Sequence, residues 1–136
     1  MKINEVSVRD IKSAITQSTK DAFDSYYQEM KDAVEQCPYY FAYGMNTNSR
    51  HMTDGDEHPM FQNIGTGTIH GVQLEFKVHC DIVRTAGARC MGVMWKMNPR
   101  GLIYLDQREG YPYYYNREIV PVQGNSKTNR AWVYYM

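Results

Sequence analysis

Glu109 is the residue of this sequence whose surroundings best fit proton-transfer chemistry. It lies in the segment LDQREGYPYYYNR, residues 105–117. A carboxylate followed by glycine, proline and three tyrosines can be withdrawn from water. Such withdrawal raises its pKa towards the range that suits general acid–base catalysis. The alternative interpretation is an ordinary solvated carboxylate at the end of a helix.

A second segment could bind an anion. It reads YFAYGMN, residues 40–46, and has the character of a short strand that turns towards a helix start near residues 50–52. Backbone N–H groups in such a turn, together with a helix N-terminus, attract a carboxylate or a phosphate. An ordinary tight turn has the same composition, so this segment gains specificity only in combination with Glu109.

The elements that position these segments follow a long helix. Between Ser7 and Gln36 there is no Gly or Pro, Ser7 with Asp10 resembles a capping box, and Cys37-Pro38 ends the pattern. Apolar residues recur at mostly helical spacing: Val8, Ile11, Ile15, Ala22, Tyr26, Met30 and Val34. Polar residues 16–19 interrupt this stripe, which indicates either two helices or a bent one. The stripe packs on the domain or, alternatively, mediates dimerisation or partner binding.

After Pro38 the sequence favours strands. They are predicted at residues 39–43, 64–78 (interrupted by Gly65, Gly67 and Gly71), 92–97, 115–122 and 131–135. Asn98-Pro99 is a typical helix start and predicts a short helix that ends at Glu109. Residues 53–59 form an acidic loop, and residues 123–130 form a polar one.

The composition narrows the class of protein. A chain of 136 residues with 43% hydrophobic residues is typical of one globular domain. Its formal net charge of +0, from 15 basic and 15 acidic residues, argues against a nucleic-acid partner and against a charged membrane surface. No signal-like or membrane-spanning segment is apparent. We therefore expect neither a nucleic acid nor a membrane as a partner.

Cysteine and histidine usage predicts neither disulfides nor a metal. Cys37, Cys80 and Cys90 are odd in number and irregularly spaced, which indicates reduced thiols and a cytoplasmic location. Each is interpreted as a small apolar filler, and Cys37 could alternatively be partly exposed. The four histidines, at positions 51, 58, 70 and 79, lack the spacing of metal ligands. We expect no metal and no cofactor.

Taken together and in order, several segments resemble the γ-glutamylcyclotransferase-like superfamily, which includes AIG2-like proteins and γ-glutamylamine cyclotransferases. The family's Tyr-Gly-Ser-Asn loop corresponds to Tyr43–Asn46, and its Leu-Asp-x-x-Glu-Gly motif to Leu105–Gly110. Pro112 makes this segment especially similar to the γ-glutamylamine cyclotransferase branch of the family. Further matches are the glycine-punctuated strand 65–76, the strand start GVMW at 92–95, the Tyr-x-Arg start at 115–117 and the aromatic strand at 131–135.

The resemblance runs from about Tyr39 to Met136 and implies the architecture of the domain. It implies an α+β fold, a small mixed β-barrel with flanking helices. The N-terminal stretch lies outside the resemblance. We therefore divide the chain into a helical extension at residues 1–38, packed on or near the domain, and a γ-glutamylcyclotransferase-like domain at residues 39–136.

The resemblance also implies an activity and a site. In the family, the motif glutamate is the general acid/base that cyclises a γ-glutamyl amine or peptide to 5-oxoproline and releases the amine; here that role falls on Glu109. The loop residues Tyr43, Gly44, Met45 and Asn46 would hold the small-molecule substrate, and Tyr115 could donate its hydroxyl to it. In this interpretation Asp106 is a structural hydrogen-bonding residue, and Arg117 pairs with a carboxylate or caps a strand.

One departure leaves a second hypothesis open. Met45 stands where the family has Ser, which puts in question any step that needs a hydroxyl at that position. The alternative is a non-catalytic protein that binds or sequesters a small ligand in the same cavity. A third hypothesis gives the N-terminal helix an assembly role, as a homo-oligomer contact.

Overall fold

The protein begins with one long helix. A computed structural model describes residues 7–44, 59–125 and 127–136. Helix α1 spans Val8–Gln36 without a break, so the polar residues 16–19 neither split nor end it. Ser7 caps it as predicted, since its hydroxyl accepts a hydrogen bond from the Asp10 N–H at 3.2 Å. Among the described residues, no helix is both long and apolar enough to cross a membrane.

In the part of the chain that the structure describes, the last turns of α1 pack on the core. Met30 and Val34 are buried in the main core, and Ala33 packs against it. Every residue from 7 to 29 is exposed. The expected packing of the apolar stripe is therefore seen at Met30 and Val34, whereas Val8, Ile11 and Ile15 have no described neighbour to cover them.

Five strands form a closed barrel in the order β1-β3-β2-β4-β5. Their bounds are Tyr39–Ala42 for β1, Phe61–Phe76 for β2, Cys80–Met97 for β3, Asn116–Gln123 for β4 and Thr128–Tyr135 for β5. Neighbouring strands are antiparallel except β1 and β5, which run parallel where Tyr40 meets Trp132. The predicted α+β fold with a small mixed β-barrel is confirmed.

The predicted strands at 64–78 and 92–97 belong to one long hairpin. The expected interruptions at the glycines are instead bulges in a continuous strand, with register shifts between Asn63 and Gly65 and between His70 and Val72. Gly65 and Gly71 have positive φ, a backbone conformation that glycine adopts without strain, so the strand continues through each bulge. Strand β3 begins at Cys80, twelve residues before the predicted start at Gly92. The extended hairpin brings its own tip back towards the site described below.

Two clusters fill the molecule. The larger one lies between the barrel and the helices and contains both tryptophans, Trp95 and Trp132, as predicted. The smaller one lies on the other side of β1, around Phe41, Met94 and Val133. Strands β1 and β3 approach so closely that a Cβ on Gly92 would lie 2.3 Å from the Ala42 carbonyl oxygen. Any larger residue at position 92 would therefore push β1 away from the barrel.

Candidate functional site

A short helix delivers Glu109 to the site. Helix α2 spans Pro99–Glu109 and begins as predicted, with the Asn98 side chain accepting a hydrogen bond from the Gly101 N–H at 2.9 Å. It ends at Gly110, which has left-handed backbone angles (φ 67°). The N–H groups of Gly110 and Tyr111 both donate to the Asp106 carbonyl oxygen. This cap holds Glu109 at the last position of the helix.

Gly110 is required at this cap for two reasons. Its positive φ is a conformation that residues with a Cβ rarely adopt. In addition, a Cβ there would lie 2.5 Å from Cδ2 of Tyr114. The glycine of the motif therefore lets the chain fold back tightly after Glu109, so that Tyr115 returns to the same region.

Glu109 lies in a cavity of about 280 Å³ at one end of the barrel. The cavity also contains Tyr43, Gly44 and Tyr115, so four of the six predicted site residues line one space. Met45 and Asn46, together with the predicted helix start at 50–52 and most of the acidic loop, lie outside the described residues. The remaining lining residues are Tyr40, His79, Cys80, Arg108 and Tyr134. The volume is just under the lower end of the usual range for ligand pockets, about 300–1,000 Å³.

The cavity favours a protonated form of Glu109 more than water does. Burial raises the pKa of Glu109, and the Arg108 guanidinium offsets this only in part. Burial also raises the pKa of Tyr115, and the negative charge of Glu109 adds to that shift. The carboxylate and the phenol therefore share one electrostatic environment, in which a proton is held more tightly than on a solvated glutamate.

Two tyrosine hydroxyls of the cavity are committed to the protein. Tyr115 donates to the Cys80 carbonyl oxygen at 2.7 Å, and Tyr43 donates to the Tyr134 carbonyl oxygen at 2.5 Å. These hydrogen bonds therefore connect Tyr115 to β3 and Tyr43 to β5. Each hydroxyl oxygen can still accept a hydrogen bond. The expectation that Tyr115 donates to a ligand would require this bond to Cys80 to break first.

A buried ion pair between Asp106 and Arg117 stabilises the end of α2. Asp106 accepts two hydrogen bonds from Arg117, at 2.9 and 3.1 Å, and one from the Tyr134 hydroxyl at 2.5 Å. The Arg117 guanidinium also lies over the rings of Tyr111 and Trp132, at 4.3 and 4.6 Å from their centroids. The predicted structural role of Asp106 and carboxylate pairing of Arg117 are both confirmed.

Tyr134 connects the two walls of the cavity. Its carbonyl oxygen holds Tyr43, and its side chain holds Asp106, three residues before Glu109. Because the Asp106 carbonyl oxygen also accepts the capping N–H groups of Gly110 and Tyr111, the position of Glu109 is linked to that of Tyr43 through Tyr134. Sequence analysis placed residues 131–135 in a strand but assigned Tyr134 no role at the site.

Sequence analysis also missed His79 and Cys80. His79 lies in the turn of the long β2–β3 hairpin, and Cys80 is the first residue of β3. The curvature of the hairpin brings both residues to the cavity. Cys80 lies beside Gly44, at 3.8 Å from the position that a Gly44 Cβ would take. No local motif marks these residues. Cys80 pairs with Phe76 next to the turn, and the course of the whole hairpin, paired as far as Phe61 and Met97, decides where the turn lies. The thiols of Cys37, Cys80 and Cys90 are free, and Cys37 and Cys90 are buried.

A larger cavity formed by described residues does not have this convergence of groups. This cavity of about 780 Å³ opens where β2 and β4 pair through a single residue pair, Thr68 and Gln123. It is mostly apolar, and its carboxylate, Glu118, is hydrogen-bonded to Tyr135. In the described part of the chain, no group of three or more His, Cys, Asp or Glu side chains could hold a metal ion.

Comparisons with known proteins identify the family and the fold. The family described as "Gamma-glutamyl cyclotransferase, AIG2-like" matches residues 40–136. No curated protein matches the chain. A solved structure titled "Gamma-glutamyl cyclotransferase" is 23% identical with a TM-score of 0.62, and the match covers 72% of this chain and 65% of that one.

Two further structures share the fold. An AIG2-like protein from Mus musculus is 22% identical with a TM-score of 0.61, over 73% of this chain and 76% of that one. An uncharacterized protein from Homo sapiens is 24% identical with a TM-score of 0.62, over 72% of this chain and 65% of that one. The matched part therefore spans slightly less than two thirds of the first and third of these three structures, 65% of each, and 76% of the second. On its match to the family over residues 40–136, the chain belongs to the γ-glutamyl cyclotransferase, AIG2-like family.

Proposed function

We propose that the protein is an enzyme that cyclises a γ-glutamyl amine or peptide to 5-oxoproline and releases the free amine. The observation that carries this proposal is that Glu109 shares one cavity with Tyr43 and Gly44, the start of the family loop. In a cyclisation of this kind, the base and the carbonyl-binding groups must act on the two ends of one short substrate. A space of about 280 Å³ with both at its walls suits that requirement.

Glu109 is the general acid/base of the proposed reaction. Its carboxylate takes a proton from the substrate α-amine, and the amine nitrogen then forms a bond to the γ-carbonyl carbon. The bond from that carbon to the departing nitrogen breaks, and the same proton passes to the leaving amine. The reaction moves one proton and exchanges one C–N bond for another, so it needs neither a redox partner nor a cofactor.

The cavity contributes orientation as well as a base. Holding the α-amine against the γ-carbonyl makes the attack intramolecular, which can supply several kcal/mol of the barrier. Backbone N–H groups of the loop Tyr43-Gly44-Met45-Asn46 are assigned to the carbonyl oxygen as negative charge develops on it. A backbone role tolerates Met45 in place of Ser, because the side chain takes no part.

Arg108 supplies the cation for the substrate carboxylate in this proposal. Its guanidinium lines the cavity next to Glu109 and is steered by a hydrogen bond from Nη1 to the Tyr104 hydroxyl at 3.1 Å. Every γ-glutamyl compound carries an α-carboxylate, and guanidinium groups bind carboxylates with good geometry. Arg108 would therefore select for the γ-glutamyl half of the substrate and not for the leaving amine.

The test is a direct assay for 5-oxoproline. The protein is incubated with γ-glutamyl-ε-lysine and with a panel of γ-glutamyl dipeptides, and product is measured beside the variants Glu109→Gln and Glu118→Gln. We expect turnover by the protein and by the control variant Glu118→Gln, and loss of turnover in Glu109→Gln. No 5-oxoproline from any substrate, or full activity of Glu109→Gln, would overturn the proposal.

The same samples separate catalysis from sequestration. If the protein only sequesters its ligand, calorimetry will show binding of a γ-glutamyl compound that is recovered unchanged. In that case Glu109→Gln will alter affinity without any product being formed by either protein.

A further inference from the structure

The first two thirds of helix α1 form a long, uncovered surface. All residues from 7 to 29 are exposed; among the described residues the helix packs on the core through Met30 and Val34, and Phe23 and Tyr27 line a cavity beside α2. At 1.5 Å per residue, the exposed part extends for roughly 34 Å. Most of the stability of a helix in a protein comes from packing of its apolar face. A covering partner would supply the missing stabilisation.

One face of this surface is apolar. Five residues at spacings of 3, 4, 7 and 4 lie on one side of the helix and are here called the apolar stripe: Val8, Ile11, Ile15, Ala22 and Tyr26. The exposed fractions of Val8, Ile11 and Ile15 are 69%, 47% and 61%. Three large aliphatic side chains in consecutive turns are unusual on a solvent-facing helix and are typical of a helix–helix contact.

The charges along α1 identify the partner. Residues 8–20 contain three basic side chains and one acidic one, whereas residues 21–36 contain one basic side chain and five acidic ones. We call these the basic half and the acidic half.

We propose that α1 pairs with α1 of a second copy of this chain in antiparallel orientation, with the two apolar stripes in contact. In that arrangement residue 8 of one helix lies opposite residue 26 of the other, so Arg9 and Lys12 lie near Asp24 and Asp21 of the second copy and opposite charges meet at both ends. A parallel pair would set like halves against each other. An antiparallel pair of identical helices has two-fold symmetry, which makes the contact self-complementary and closed.

Both cyclotransferase sites remain open in this dimer. The stripe lies on residues 8–26, and the cavity around Glu109 lies at the barrel end, with no lining residue from α1. The pairing is therefore independent of the proposed activity, and variants in the stripe can be tested for assembly and for turnover separately.

The first experiment measures mass in solution by light scattering at high micromolar protein concentration. We expect twice the 15.9 kDa of one chain. The double variant Ile11→Glu, Ile15→Glu should return the mass to one chain, with unchanged tryptophan fluorescence and unchanged turnover. The matched control Met91→Glu replaces an equally exposed residue (70% exposed) on β3 and should remain a dimer. A one-chain mass for the unaltered protein, or a dimer that survives the double variant, would overturn the proposal.

The second experiment tests whether charge drives the pairing, and cross-linking tests its orientation. One variant changes the three basic residues of the basic half to Glu, and another changes Asp21, Asp24 and Glu29 to Lys. Each alone should be a single chain, and an equal mixture should regain the dimer mass. Carbodiimide cross-linking of light and heavy isotope-labelled wild-type chains should join Lys12 of one copy to Asp21 or Asp24 of the other. Inter-chain links confined to residues 8–20 would contradict the antiparallel arrangement.

Discussion

At the scale of single residues, the protonation of Glu109 sets the pH range of the proposed reaction. Burial raises the pKa of Glu109 in the folded protein above its ordinary value. The base form exists only above that folded-state pKa, so the acid limb of kcat/KM should lie at higher pH than for a solvated glutamate. A pH–rate profile with a γ-glutamyl substrate measures this limb. A limb at the ordinary glutamate pKa would show that another group controls the rate.

The same shift has an opposite consequence for stability. A carboxyl group with a raised folded-state pKa stabilises the fold fully below its unfolded-state pKa, and this contribution is lost as pH rises through the folded-state pKa. At neutral pH, ionised Glu109 therefore weakens the fold. We expect Glu109→Gln to raise the melting temperature at neutral pH and to have little effect at low pH. The reverse pH dependence would contradict the burial of this carboxylate.

Arg108 offers a second test at the residue scale. If its guanidinium binds the substrate α-carboxylate in the ground state and in the transition state alike, Arg108→Ala should raise KM about tenfold or more with little change in kcat. Loss of a charge-assisted hydrogen bond corresponds to about 1.5–3 kcal/mol, a factor of about 10 or more. Arg100→Ala, on the same helix but away from the cavity, should leave both constants unchanged. A fall in kcat without a change in KM would place Arg108 in the chemical step instead.

At the scale of elements, the end of α2 depends on one buried ion pair. The side chains of Arg117 and Asp106 are only 10% and 6% exposed, and removing one partner leaves the other charged and buried. We expect Asp106→Asn to lower the free energy of unfolding by about 3 kcal/mol. Tyr134→Phe removes a hydrogen bond to the same carboxylate and should cost about 2 kcal/mol. Urea denaturation measures both.

The double variant Asp106→Asn, Tyr134→Phe tests whether the two side chains contribute to the free energy of unfolding independently. Because Tyr134 and Arg117 share the same carboxylate, the cost of Tyr134→Phe should shrink when Asp106 is already Asn. Tyr135→Phe is the matched control, since its hydroxyl binds Glu118 at the surface, and it should cost less than about 0.5 kcal/mol. Fully additive costs for Asp106→Asn and Tyr134→Phe would show that the network does not couple the two walls of the cavity.

The elements also show which parts of the fold can be predicted from local sequence. The Asn98 cap, the Gly110 end of α2 and the Ser7 cap of α1 depend on side chains within four residues, and each was predicted correctly. The long hairpin was not, because glycines that usually end strands here form bulges at Gly65 and Gly71. Its curl brings Cys80 into the cavity that Glu109 lines, a placement that depends on the course of the whole hairpin and has no local signal.

At the scale of the whole molecule, α1 has two parts with different tasks. Met30 and Val34 belong to the core, and Met30 also touches Arg117, with Sδ at 4.0 Å from Nη2. Residues 7–29 are exposed. Deleting residues 1–36 would therefore remove core side chains together with the proposed dimer contact, and any loss of mass would be confounded by loss of stability. A truncation that removes only residues before 29 removes the proposed dimer contact and keeps Met30 and Val34 in the core.

Two truncations test this division against the monomeric Ile11→Glu, Ile15→Glu variant as the reference. Deleting residues 1–28 retains Met30 and Val34, so it should give a single chain with the reference stability and turnover. Deleting residues 1–36 exposes the core beneath both side chains and should cost about 3 kcal/mol or more, since each buried side chain of this size contributes about 1.5–3 kcal/mol. Urea denaturation and light scattering measure the two effects. Equal stability of the two truncations would mean that the barrel and α2 fold without any support from α1, and the helix would then serve assembly alone.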